Sequence, residues 1–264
     1  MLLGLTLIGL AFAPAAPQSG NAVWFSEAHR LVARIAEARL TPAAREAIRR
    51  ILGQETLTQA ASWADQVRGH RRATAPLHYV NIPLGASSYD SAAYCPSGRC
   101  VIGAIDRYRS ALVAPATPPV ERAEALRFLV HFMGDLHQPL HVSDNSDRGG
   151  NLTKVEFAGV GTTDLHKVWD GQLMEAVYPT EEAHWSRLRQ MMETLDLDGM
   201  THGTVIDWAM EGHALAREAY DFPPNRRLRQ AYIQKNIRVV DLALIKAGVR
   251  LAGLLNEAFA RDQR

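Results

Sequence analysis

The stretch Phe128 to Asn145, "FLVHFMGDLHQPLHVSDN", crowds His131, His137, His141 and Asp135 into an apolar run. Buried without partners, such groups cost several kcal/mol each, so they are hydrogen-bonded, ion-paired or bound to metal. On a helix, His131 and Asp135 stand four residues apart and project from one face, a turn apart. Pro139 cannot continue that helix, so His141 lies beyond its end on a reversal that can return it to the same place. "LHKVWD" repeats the device, with His166 four residues before Asp170. An imidazole and a carboxylate on each of two helices are what a carboxylate-bridged metal site needs. Asp65 in "SWADQVR", His78 in "PLHYVN" and His29 add further donors. Imidazole and carboxylate without available thiolate fits zinc, with manganese and iron left open. His137 lies off the 131/135 face and is expected to be structural. His70, His184, His202 and His213 sit among polar neighbours and are expected to face solvent.

Helices must hold these donors, and helix signals dominate from Trp24 onward. "HRLVARIAEARL" places Leu31, Val32, Ile35 and Ala36 at the spacing of a buried stripe. "TPAAREAIRRILG" opens with Thr41 as N-cap and Pro42 at the first helical position, and stops at Gly53. Residues 121–138 read as one helix. Thr180 opens another, with Glu181 and Glu182 in its acidic first turn. "VIDWAMEGHALAREAY" and "NIRVVDLALIKAGVRLAGLLNEAFA" read as two more. Only "NLTKVEFAG", residues 151–159, alternates as a short strand would. No repeat, low-complexity tract or linker divides the chain, so a single, mainly α domain is expected.

The 264 residues suffice for a substantial core, and 47% hydrophobic with 22% charged is ordinary globular composition. A formal charge of +1 exerts no long-range pull on polyanions, so any nucleic-acid binding must be local. Residues 1–23 carry no charge and contain an apolar stretch long enough for a secretory signal but short for a membrane span. A cleaved signal peptide is expected, with an uncleaved anchor as the alternative, and a secreted or periplasmic protein as the consequence. The only cysteines, Cys95 and Cys100, bracket "CPSGRC" and would close it as a disulfide in an oxidising compartment; free thiols or half a metal site are the alternatives.

"WFSEAH", "SWADQVR", "LHYVN", "CPSGRC", "ALRFLVHFMGDLHQPLH", "GGN" and "LHKVWD" follow one another in the order found in zinc-dependent single-strand nucleases of the S-one/P-one type. The chain resembles that family from Trp24 to about Asp170; its C-terminal third matches only as helices. The resemblance implies a multi-helix fold of the phospholipase C/P-one nuclease type over residues 24–264 and a cluster of three zinc ions. Asp65, His78, His131 and Asp135 would hold one ion. Asp135 would bridge to a second, held also by His29 and by the amine and carbonyl of an N-terminal Trp24. His141, His166 and Asp170 would hold the third. Trp24 joins only if processing makes it the first residue, whereas small-residue rules favour cleavage after Ala22 rather than Val23.

Such a cluster suits phosphoester cleavage by an activated water, with Asp65, Asp135 and Arg68 as the implied catalytic set. Arg68, three residues after Asp65, would clamp a phosphate oxygen with its planar fork. Tyr79 and Asn81, directly after His78, would form a base pocket, with Asn81 an amide where many relatives carry an acid. Single-stranded DNA, RNA and nucleotides are the implied partners, with 5′-phosphate products and 3′-nucleotidase activity as a further possibility. A monomer without stable protein partner, and without membrane contact after signal removal, is expected. Asn151, in the sequon "NLT", is expected to mark a turn near the site. Two alternatives stand beside the nuclease. A zinc phospholipase C tends to space Trp and first His more widely than Trp24 and His29 do and to use Glu in place of Asp170. A secreted zinc-binding protein without catalysis would keep the ligands but would not need Arg68 or an aromatic beside them.

Overall fold

The helix that carries His29, α1 (Ser26–Arg39), opens the described part of the chain. The computed structural model describes residues 26–260, so the leader expected over residues 1–23 and Trp24 lie outside the described residues. Thr41 accepts from the Ala44 amide and Pro42 takes the first turn of α2 (Pro42–Leu52), which stops where Gly53 adopts φ of 68°. A capping box between Thr56 and Gln59 starts α3 (Leu57–Ala60), and α4 (Trp63–Arg68) follows. A 3₁₀ helix over Arg72–His78 then delivers His78. After α5 (Ser91–Tyr94) the loop to Cys100 is closed by the Cys95–Cys100 disulfide, as expected. Next, α6 (Val101–Val113) and α7 (Pro119–Asp135) pack side by side. A 3₁₀ turn at Pro139–His141 follows, and α8 (Leu165–Lys167) runs through a π-helical turn, Val168–Gln172, into α9 (Leu173–Glu175). Three longer helices finish the fold: α10 (Glu181–Met192), α11 (Val205–Tyr220) and α12 (Gln230–Phe259).

The core forms where α12 crosses α1, α2 and α7. Gly248 on α12 lets α1 come close: a Cβ there would lie 2.5 Å from Ile35 Cβ and 2.8 Å from the Val32 carbonyl oxygen. Helix α7 is buried without interruption from Phe128 to Asp135, which is why its sequence is apolar on every side. It ends at Asp135, three residues short of the expected boundary, because Gln138 and Pro139 divert the chain into the 3₁₀ turn.

The expected strand contracts to β1 (Lys154–Phe157), and two unexpected partners join it. It pairs antiparallel with β2 (Gly161–Asp164) and parallel with β3 (Arg227–Leu228). Both are four residues or shorter and lack alternation, so their strand character comes only from pairing.

Two histidines expected in solvent are buried. His213 on α11 accepts from the Ser143 hydroxyl at Nδ1 (2.7 Å) and donates from Nε2 to the Ala86 carbonyl (3.1 Å). His184 on α10 lies at zero exposure, its Nε2 2.8 Å from Asp241 Oδ1 and its Nδ1 3.5 Å from Glu27 Oε1. The Tyr178 ring stacks on it at 3.9 Å, and the Tyr178 hydroxyl donates to Asp241 Oδ2. Polar sequence neighbours belong to the other face of each helix and say nothing about these residues. His70 and His202 are exposed, as expected.

Burial lowers the pKa of His184, but the hydrogen bonds and charges of Asp241 and Glu27 outweigh it and raise the pKa above 6.5. Its contribution to stability is therefore complete below about pH 6.5 and lost as pH rises through the folded value. A His184→Gln protein should trail the wild type by more at pH 6 than at pH 9 in denaturant unfolding; a constant gap would show a neutral imidazole. At the other packing point, Gly248→Ala should destabilise by about 1–3 kcal/mol through overpacking. This appears as a Tm about 2–12 °C lower in a thermal melt, and an unchanged Tm would mean that α1 and α12 separate without penalty.

Candidate metal centre

Seven segments deliver donors to one place. His29 comes from α1, Asp65 from α4, His78 from the end of its 3₁₀ helix, His131 and Asp135 from α7, and His141 from the turn after it. His166 on α8 and Asp170 in the π-helical turn complete the set, one turn apart as their spacing requires. They form three groups, the first two sharing His131, each with donor atoms within 4.8 Å of one another: His29, His131 and Asp135; Asp65, His78 and His131; His141, His166 and Asp170.

Asp135 joins the groups. Its Oδ2 lies 2.9 Å from His78 Nδ1 and 3.2 Å from His131 Nε2, and its Oδ1 lies 3.1 Å from His141 Nδ1 and 3.7 Å from His29 Nε2. His141 Nε2 is 3.3 Å from Asp170 Oδ1, and His166 Nε2 is 3.2 Å from Asp170 Oδ2. The imidazoles of His29 and His131 stack at 3.7 Å.

Backbone carbonyls fix the tautomers. His131 Nδ1 donates to the Ala61 carbonyl and His166 Nδ1 to the Gly149 carbonyl, both at 2.7 Å, so each Nε2 faces inward. Gln138 donates to Asp170 Oδ1 at 2.7 Å while its own oxygen accepts the Leu140 amide. Reading the sequence missed Gln138, whose only signal is its position between two donors and before Pro139. His137 is spent, as expected: Nδ1 donates to the Met133 carbonyl and Nε2 accepts from Arg250.

Donor spacing tests the fit to metal. A tetrahedral zinc ion with nitrogen or oxygen ligands at ~2.0–2.1 Å holds them about 3.3 Å apart, and the inward-facing pairs here are separated by 2.9 to 3.7 Å. Asp65 Oδ1, Asp135 Oδ1 and Asp170 Oδ2 are buried and accept no well-formed hydrogen bond among the described residues. Buried carboxylate oxygens in that state call for a cation. Protons supply the charge when metal does not. Burial lowers the pKa of His131, but Asp135 and Asp65 overcome it and hold it up at about 10. Burial opposes His141 likewise, and Asp135 with Asp170 raise it to about 9. His29, pushed down to about 3 by burial and by His131, is a neutral lone-pair donor. The donor set fits zinc.

Above the donors lies a cleft of about 520 Å³. His78, His141 and Asp170 form its buried floor; Tyr79, Asn81, Arg148, Asn151 and Leu152 are exposed on its rim, beside Arg68. A larger hollow of about 580 Å³ near Arg50, Arg109 and Glu257 contains no imidazole and lacks the donors for this chemistry.

The S1/P1 nuclease family model matches residues 24–260. Endonuclease 2 of Arabidopsis thaliana is 33% identical over 89% of this chain and 90% of its own length. Nuclease S1 of Aspergillus oryzae is 32% identical over 88% and 91%, and nuclease P1 of Penicillium citrinum 29% identical over 89% and 97%. The chain belongs to the S1/P1 nuclease family. Members of this family are zinc-dependent hydrolases with a helical, phospholipase C-like fold, and this chain is a nuclease of that kind.

Within the S1/P1 frame, every expected donor from His29 to Asp170 reaches the site, and Arg68, Tyr79 and Asn81 reach the cleft above it. Asn151 stands in the turn at its rim, as expected. Trp24 lies outside the described residues. Arg148 and Leu152 were not anticipated, since a loop residue carries no periodicity to reveal it.

An ion present at a thousand times its dissociation constant stabilises a fold by about 4 kcal/mol. Stripping metal from the folded protein with a chelator should therefore lower Tm by roughly 8–16 °C at this chain length, with recovery on adding zinc. A Tm insensitive to chelation would show that the donors fold without metal.

Proposed function

We propose that this protein is an exported zinc-dependent phosphodiesterase that hydrolyses single-stranded DNA and RNA to 5′-phosphate products. One observation carries the reading: three donor groups, linked by Asp135 through His78 and His141, reach a cleft floored by His78, His141, His166 and Asp170, whose rim holds a guanidinium, a phenol ring and an amide. Asp65, His78, His131 and Asp135 are assigned to one ion. Asp135, His29 and the amine of a processed Trp24 take a second, and His141, His166 and Asp170 a third. Zinc in these positions supplies positive charge to the phosphoryl oxygens and lowers the pKa of an attacking water.

The chain's own residues do the rest. Arg68 ends α4 one turn beyond Asp65, and its guanidinium makes no ion pair with any described residue, so its fork is available to a phosphate oxygen. Tyr79, 38% exposed, offers a ring face on which any base can stack. Asn81 both donates and accepts, which suits a base edge. A stacked base must be unpaired, and this favours single strands. Ala61, Gly149 and Gln138 hold His131, His166 and Asp170 in place, so substrate meets a formed site. The uncharged apolar leader and the Cys95–Cys100 disulfide support export to the periplasm or outside the cell, with the mature chain beginning at Trp24.

The test is release of acid-soluble nucleotides from single-stranded DNA and RNA by the exported protein, by a chelator-stripped sample, and by the same sample given zinc. Zinc-restored release of 5′-phosphates is expected, with Asp135→Asn slower by at least about 100-fold. Phosphatidylcholine vesicles and 3′-mononucleotides are assayed alongside. A zinc-loaded protein that leaves every nucleic acid intact would overturn the reading, and hydrolysis of the vesicles alone would make it a phospholipase C.

A further inference from the structure

The loop between His141 and β1 passes through three consecutive left-handed residues, Arg148, Gly149 and Gly150, with φ of 60°, 59° and 85°. Two aspartates set its course. Asp144 accepts from the amides of Asp147 (3.0 Å) and Gly149 (3.2 Å). Asp147, only 8% exposed, accepts from the Gly150 amide (2.8 Å), the Thr153 hydroxyl (2.5 Å) and the Tyr220 hydroxyl (2.9 Å). The backbone of Asp144 is tied to Ile82 and Leu84, just beyond Asn81. A Cβ on Gly149 would fall 2.4 Å from the Leu140 carbonyl oxygen, so no larger residue fits there.

This bracing has a product. Arg148 is exposed at the cleft, and its guanidinium forms no hydrogen bond or ion pair with a described residue. Arg71, by contrast, is held by Glu124 and Arg30 by Glu181. Arg68 and Arg148 thus bring two available forks to one cleft, at different donor groups. Arg68 follows Asp65, whereas Arg148 precedes Gly149, whose carbonyl holds His166. Beside Arg148 on the rim, Leu152 leaves an apolar side chain 59% exposed. One scissile phosphate does not need two separated forks; a chain of phosphates does.

We propose that Arg148 binds the phosphate next to the scissile one, with Leu152 against the intervening nucleoside, so that the cleft selects polynucleotide over an isolated phosphodiester. The inference rests on the nuclease reading above. Its test compares a dinucleoside monophosphate, which has no flanking phosphate, with a tetranucleotide. Both are hydrolysed by the zinc-loaded wild type, Arg148→Ala and Arg148→Lys over a range of salt. The KM of Arg148→Ala is expected to rise about tenfold more on the tetranucleotide than on the dinucleoside monophosphate. Its dependence of log KM on log salt should flatten by about 0.7, one phosphate contact on a single strand. Arg148→Lys keeps the charge without the fork and should fall between. Equal changes on the two substrates, or no change on either, would overturn the proposal. Failure of the wild type on both substrates would instead overturn the nuclease reading beneath it.

Discussion

A carboxylate at zero exposure surrounded by four imidazoles is the constraint around which this protein is arranged. Asp135 cannot be buried as a bare anion, and His29, His78, His131 and His141 each approach one of its oxygens. They come from α1, from a 3₁₀ helix, from α7 and from the turn beyond it. Any slip of these segments by a helical step would leave a buried charge with nothing to balance it. The contact of α12 with α1 at Gly248 and the pairing of α6 with α7 keep the segments in register.

Positive charge must then enter the interior, and it can arrive as protons or as metal. Asp135 and its neighbours hold His131 and His141 protonated near neutrality in the metal-free protein, whereas His29 stays neutral. In a loaded site Nε2 of His131 and of His166 would each offer a lone pair, since carbonyls outside the site already hold the Nδ1 protons of these two rings. Loading of the site is for that reason coupled to proton release from His131 and His141, and so to pH.

Around this rigid floor the rim is built from short, irregular segments. The net charge of +1 provides no general attraction for polyanions, so affinity for nucleic acid rests on a few local groups. Asp144, the buried Asp147 and two left-handed glycines brace the loop that carries Arg148, which makes it a fixed wall of the cleft. Membership of the S1/P1 family accounts for the floor, and the rim is where this chain can differ from its relatives.

Helices and donors were legible in the sequence because their signals are local. Thr41, Pro42 and Gly53 bound α2 by short-range geometry, and the four-residue spacing of His131–Asp135 and His166–Asp170 fixes one face of a helix. The motifs from His29 to Asp170 therefore named the donors before any packing was known. Tertiary structure alone decided the rest. His184 and His213 are buried by segments distant in sequence, β2 and β3 become strands only by meeting β1, and Gln138 and Arg148 take their places from a turn and a loop without period. Local propensity cannot see a partner dozens of residues away, and it is such partners that turn a set of donors into a site.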